Sequence, residues 1–183
     1  MKNNSVRNVV AVGIGSAIVM ILMRFAVIPT GIPNTNIQTA YGFLALFAGI
    51  FGPIPAMLTG LIGHFLNDTM QYGSAWLSWV FCSGCLGLAL GFTIDKKALS
   101  EGKFGLKETV RFNIVQVVAN LIIWGMLAPA LDVFIYSEPA SKVFTQGWVA
   151  GISNAVSVGL IGTLLLKAYT KTQVQSGSLK KDA

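Results

Sequence analysis

Charge is what this chain has least of. Only 11% of its 183 residues are Asp, Glu, Lys or Arg, against 54% hydrophobic ones. A soluble domain carries about a quarter charged residues, so this composition cannot clothe a water-facing surface. Histidine and cysteine are as sparse, with one and two residues. A single His rules out an H-E-x-x-H metal site and leaves no plausible Ser-His-Asp triad. Neither G-x-S-x-G nor the phosphate loop G-x-x-x-x-G-K-[ST] occurs, so the chain is not its own ATPase of that type, and no enzyme activity is expected. Cys82 and Cys85 form one C-x-x-C inside an apolar run, with no second pair to complete a zinc site. A redox pair needs access and an electropositive setting, so the two are read as small packing residues. No metal or cofactor is expected.

What is there is long apolar runs broken by short polar stretches. These predict an all-α, polytopic membrane protein with six transmembrane helices at about residues 8–28, 38–52, 53–71, 75–94, 109–130 and 147–168. The second run is short for a span. The first is too long for a signal-peptide core and no cleavage pattern follows it, so a retained span is expected. Residues 1–170 read as one domain, without internal repeat, and 171–183 as a polar, disordered cytoplasmic tail.

Basic residues orient the bundle. Lys2, Arg7, Lys96, Lys97, Lys103, Lys107, Arg111, Lys167, Lys171, Lys180 and Lys181 fall on one side of the spans. The opposite loops, 29–37, 72–74 and 131–146, hold only Lys142, and Arg24 lies within span one. Both termini are therefore expected inside, in a multi-pass cell-membrane protein. The net charge of +6 is a topology signal and not a nucleic-acid footprint.

Polar side chains inside a bilayer are costly and default to function. His64, Asp68 and Gln71 share a helix face at i, i+4 and i+7. With the predicted topology they lie towards the outside, as do Trp76, Trp79, Gln146, Trp148, Asn154 and the loop from Gly31 to Gln38, which carries Asn34 and Asn36. A stripe of Asn113, Gln116, Asn120 and Trp124 climbs span five. Its inner members are read as interhelical glue, and Trp148 as an interfacial anchor. Together these predict an outward pocket. Its substrate-binding residues are Asn34, Asn36, His64, Asp68, Gln71, Trp76, Trp79, Asn120 and Asn154, suited to a small, polar, aromatic ligand that is uncharged or singly protonated. A proton relay is the competing use of His64 with Asp68, in a stand-alone proton-coupled carrier. At this length without a repeat, though, the chain is small for a complete secondary transporter. In span one, Ala11 with Gly15 and Gly13 with Ala17 make overlapping small-x-x-x-small pairs that allow close helix approach, here on the cytoplasmic side, where a partner interface is expected.

The strings Ala11-Val12-Gly13-Ile14-Gly15, G-I-P-N-T-N-I-Q at 31–38, Leu61-Ile62-Gly63-His64 through Asp68, and Gln71-Tyr72-Gly73-Ser74-Ala75-Trp76-Leu77-Ser78-Trp79 resemble one bacterial family. It is the substrate-binding S components of energy-coupling-factor (ECF) vitamin transporters, most similar to the hydroxymethylpyrimidine (HmpT-like) type. The resemblance implies a six-helix subunit that captures a vitamin or precursor outside the cell. It implies partnership with a membrane T component (EcfT-like) and two cytoplasmic ATPases (EcfA-like), and release by toppling within the bilayer. The family's Ala-x-x-x-Ala pattern, which packs on the T component, corresponds here to Ala11/Gly15 or Gly13/Ala17.

Overall fold

The computed structural model describes residues 2–173. Helix α1 (Lys2–Phe25) leads into a hairpin of β1 (Val27–Pro29) and β2 (Asn36–Gln38), followed by α2 (Ala40–Phe51), α3 (Pro53–Tyr72), α4 (Leu77–Thr93) and the short α5 (Lys96–Ser100). Two long rods close the bundle. In the first, α6 (Leu106–Ile122) and α7 (Ala128–Tyr136) are joined through a π-helical turn at Ile123–Leu127. In the second, α8 (Ala140–Ser157) and α9 (Thr163–Lys171) are joined through another at Val158–Gly162.

The breaks follow from local chemistry. Gly52 at φ 92° and Pro53 at the first position of α3 turn the chain sharply from α2 into α3. Gly73 ends α3 in the left-handed region. Pro129 sits inside the first rod, where it cannot donate to the helix ladder. The π turn just before it absorbs the fault, with Ala128 N–H bonding Ile123 O five residues back.

Among the described residues, three helices are long and apolar enough to cross a membrane: Ser5–Phe25, Leu106–Tyr136 and Ala140–Lys171. Ala40–Phe51 and Leu77–Thr93 are shorter apolar helices. At 12 residues α2 rises only about 18 Å, less than the ~30 Å hydrocarbon core. Among the described residues the regular structure is helical, as expected, apart from the hairpin, whose strands pair antiparallel with Ile28 opposite Ile37. One expectation needs correction. The stretch 131–146 is not a loop: α7 runs to Tyr136, and α8 starts at Ala140 once Pro139 has provided the break. Of the expected tail, Lys171 is the last residue of α9, and 174–183, with Lys180 and Lys181, lies outside the described residues.

Glycines set how closely the helices approach. A Cβ on Gly87 would lie 2.4 Å from Ala56 O, and one on Gly60 2.6 Å from Ser83 O, so α3 and α4 pack backbone to backbone. Gly63 receives Val19 of α1 in the same way. Large apolar residues cover the exterior as well as the core, and several polar residues lie inside. Val9, Ile14, Phe25, Phe92, Ile114, Phe134 and Leu164 are exposed, while His64, Asn67, Asp68, Gln116, Asn120 and Asp132 are buried. An apolar exterior of this extent is what lipid, not water, solvates.

Candidate ligand pocket

The hairpin is fastened to α8 by three side chains. Gln146 Nε2 donates to Pro33 O at 2.8 Å, Gln38 N donates to Asn154 Oδ1 at 3.3 Å, and Ser157 Oγ donates to Gln38 O at 2.7 Å. Inside the connection, Thr30 Oγ1 donates to Thr35 O at 2.5 Å, and Gly31 and Asn34 take positive φ to make the bend. Beneath this roof is a cavity of about 370 Å³, within the size range of small-ligand sites.

One wall descends from α3. His64 and Asp68, one helical turn apart, approach to 3.3 Å between Nε2 and Oδ1. The close α3–α4 packing brings Ser83 Oγ to 2.5 Å from His64 Nδ1 and 2.9 Å from the Tyr41 hydroxyl. For a neutral imidazole beside an ionised carboxylate, one proton order satisfies every group: Tyr41 donates to Ser83, Ser83 to His64 Nδ1, and His64 Nε2–H to Asp68. Asp68 also accepts from Asn67 Nδ2 at 3.2 Å and from the Trp76 backbone N–H at 3.1 Å. It thus ties the end of α3 to the start of α4.

The facing wall is aromatic and is held by one buried carboxylate. Asp132 accepts from Trp76 Nε1 at 2.8 Å, from Trp79 Nε1 at 2.7 Å and from Ser78 Oγ. With both indoles anchored, the rings have neighbours at stacking range. Trp76 meets Tyr136 at 4.5 Å between centroids, Trp79 meets Trp124 at 5.5 Å, and Trp124 meets Tyr41 at 5.3 Å. At the rim, Lys142 Nζ pairs with Glu138 Oε2 at 2.7 Å.

Of the residues the sequence put forward, Asn34, Asn36, His64, Asp68, Gln71, Trp76, Trp79 and Asn154 all line this cavity. Asn120 does not. It is fully buried lower in α6, where its Nδ2 donates to Gln116 O and Oε1. Asn113 and Gln116 bridge to the second rod, at Thr163 Oγ1 and Ala155 O. Sequence reasoning missed Asp132 because it placed the residue in a loop, although a lone Asp within Leu131–Tyr136 is a polar interruption of an apolar run. It also missed Asn67, Tyr41 and the place of Trp124 in the wall.

The small-residue pairs of α1 separate. Ala11 and Gly15 face α2, where a Cβ on Gly15 would meet Phe47 at 2.6 Å. Gly13 and Ala17 are exposed, and a Cβ on Gly13 would meet nothing within 4 Å. Gly15 is thus consumed by packing inside the chain.

Residues 3–171 match the family model described as ECF-type riboflavin transporter, S component. The chain belongs to that family. This S component is 58% identical over 178 residues to a UPF0397 protein of Enterococcus faecalis, and 55% identical over 178 residues to a UPF0397 protein of Staphylococcus aureus, each alignment covering 97% of both chains. No solved structure matches it. The match supports an ECF S component, a membrane transport subunit, but not the hydroxymethylpyrimidine type within that class.

Proposed function

We propose that this S component is the substrate-capture subunit of an ECF transporter, importing a small nitrogen heteroaromatic vitamin or precursor of the hydroxymethylpyrimidine or pyridoxine kind. The observation that carries the reading is the roofed cavity, in which a wall of anchored aromatic rings faces hydrogen-bonding groups from α3. Flat rings stack a planar ligand while Asp68, Asn34 and Asn36 read its edge, with His64 holding Asp68 in place. Six spans with both ends cytoplasmic would turn this cavity outward in the bacterial cell membrane, and the distribution of basic residues supports that orientation. S components in general work with EcfT and EcfA partners. Here the T component would dock on the inner half of α1, on the face that carries Gly13 and Ala17, and the two ATPases would supply the driving energy.

The test is mass spectrometry of ligand carried through purification from vitamin-fed cells, followed by titration of the identified compound. A bound single-ring aza-arene supports the reading; riboflavin would move the substrate to the one printed in the family description; transport by the chain alone in liposomes would overturn the subunit role. The 3.3 Å His64–Asp68 contact favours one second reading, a stand-alone proton-coupled carrier, which predicts uptake that collapses with the proton gradient and survives loss of the ATPases.

A further inference from the structure

Away from the ligand cavity, α1 and α2 leave a second hollow of about 490 Å³ between them. Its walls are Val10, Ile14 and Ile18 of α1 and Phe43, Phe47 and Ile50 of α2, and Arg7 is its one polar side chain. Val10 and Ile14 are exposed, so the hollow is an open groove on the outside of the bundle. From Arg7 to Ile18, α1 rises ~16 Å. That is half of the ~30 Å hydrocarbon core, the depth of one leaflet.

One end of the groove is basic. Arg7 Cζ lies 5.5 Å from the centroid of the Phe51 ring, within cation–π range. Lys96 Nζ donates to Phe51 O at 3.4 Å. Two cations therefore converge on the last residue of α2. Among the described residues neither forms an ion pair. The carboxylate next to Lys96, that of Asp95, is spent capping α5, where it accepts from Lys97 N and Ala98 N. A guanidinium carries five N–H donors and an ammonium three, so one ring and one carbonyl leave most of them open to an anion.

We propose that this groove holds one anionic phospholipid, with an acyl chain between α1 and α2 and the phosphate at Arg7 and Lys96. The apolar walls match a hydrocarbon chain over the depth of a leaflet, and the two unpaired cations match its headgroup. A partner helix fits the groove less well. Close helix approach wants small residues, and the open small pair of α1, Gly13 and Ala17, lies on the next face, with Gly13 about 100° round the helix from Ile14. With the N-terminus inside, as proposed above, the lipid belongs to the inner leaflet. The site does not depend on which compound the cavity captures.

The test is native mass spectrometry of the full-length protein released from nanodiscs that hold equal amounts of phosphatidylglycerol and phosphatidylcholine with the same acyl chains. The expected result is one retained phosphatidylglycerol, favoured over phosphatidylcholine by about tenfold or more. Arg7→Gln/Lys96→Gln should bring the preference close to unity. Lys107→Gln, at the start of α6 and outside the groove, should keep it. All three cations are exposed, so these variants should fold. Ile14→Trp should narrow the groove and lower retention of both lipids. Equal retention of the two lipids by the wild-type protein overturns the proposal, and that arm needs no variant. A preference that survives Arg7→Gln/Lys96→Gln overturns it too. Loss of the preference in Lys107→Gln would make it a property of the whole basic face and overturn the groove as its source. If neither lipid is retained and Ile14→Trp instead stops co-purification with the T component, the groove is that subunit's dock and the lipid site falls. None of these outcomes bears on the capture reading.

Discussion

Trp79 donates its indole N–H to Asp132 Oδ2 at 2.7 Å, joining the first turn of α4 to the upper half of the first rod. Because Trp76 donates to the other oxygen of the same carboxylate, a single side chain sets two rings of the aromatic wall. Asp132→Asn keeps the shape but offers only one accepting oxygen, so at least one indole loses its partner. Hydrogen bonds to charged groups are worth ~1.5–3 kcal/mol. The expected outcome is roughly tenfold or greater loss of affinity by isothermal titration, with red-shifted tryptophan emission in the free protein. Wild-type affinity and emission would remove Asp132 from any role in holding the wall.

Ser83 is the hub between Tyr41 and His64. Ser83→Ala leaves a buried phenol and a buried imidazole nitrogen without partners, at a cost of about 1–3 kcal/mol for each group stranded. A lower Tm in detergent is expected, and the double variant Ser83→Ala/Tyr41→Phe should recover part of it, because it removes one stranded group. A double variant less stable than the single one by the full cost of Tyr41→Phe alone would show that the hydroxyls are not coupled.

The two small-residue pairs of α1 should respond differently. Gly15→Leu forces a side chain into Phe47, and a markedly lower Tm is expected. Gly13→Leu points into open space, so the isolated subunit should keep its Tm and its ligand affinity, while co-purification with the T component falls. Intact assembly of Gly13→Leu would remove that face from the interface.

Gln146 and Asn154 hold the hairpin over the cavity through backbone contacts. Gln146→Ala and Asn154→Ala should shorten ligand residence, raising koff more than they change kon, in stopped-flow displacement. If only kon changes, the hairpin controls entry and does not retain the ligand.

Much of the bundle is legible in the sequence where apolar runs end on Gly or Pro. The expected span 53–71 differs by one residue from α3, bounded by Pro53 and Gly73, and 75–94 brackets α4. The second rod extends past its expected span because its ends are polar, and the first because Asp132 interrupts an apolar run that continues to Tyr136. Expecting span five to end at residue 130 put Asp132 outside the membrane helix, and the carboxylate that organises the wall was lost with it. The spacing of residues 64, 68 and 71 leaves out Asn67, although i and i+3 also share a face. The inner part of the span-five stripe was readable as helix–helix contact, and Asn113 and Gln116 make such bonds. Which small residue of α1 faces inward was not readable, since that depends on where Phe47 of α2 arrives.

The π-helical turn at Ile123–Leu127 makes residue count, and not only residue identity, a determinant of the site. Below the turn, Gln116 reaches towards α8; above it, Asp132 reaches towards α4. Each residue of a helix advances the face by about 100°. The turn already holds one residue more than an α turn, so deleting one there would restore ordinary helical pitch and leave Asp132 on its face, whereas adding one would swing Asp132 out from under both indoles with every side chain of the wall still encoded. Evolution can therefore shed a codon in that turn, but a one-codon insertion there would take the wall apart.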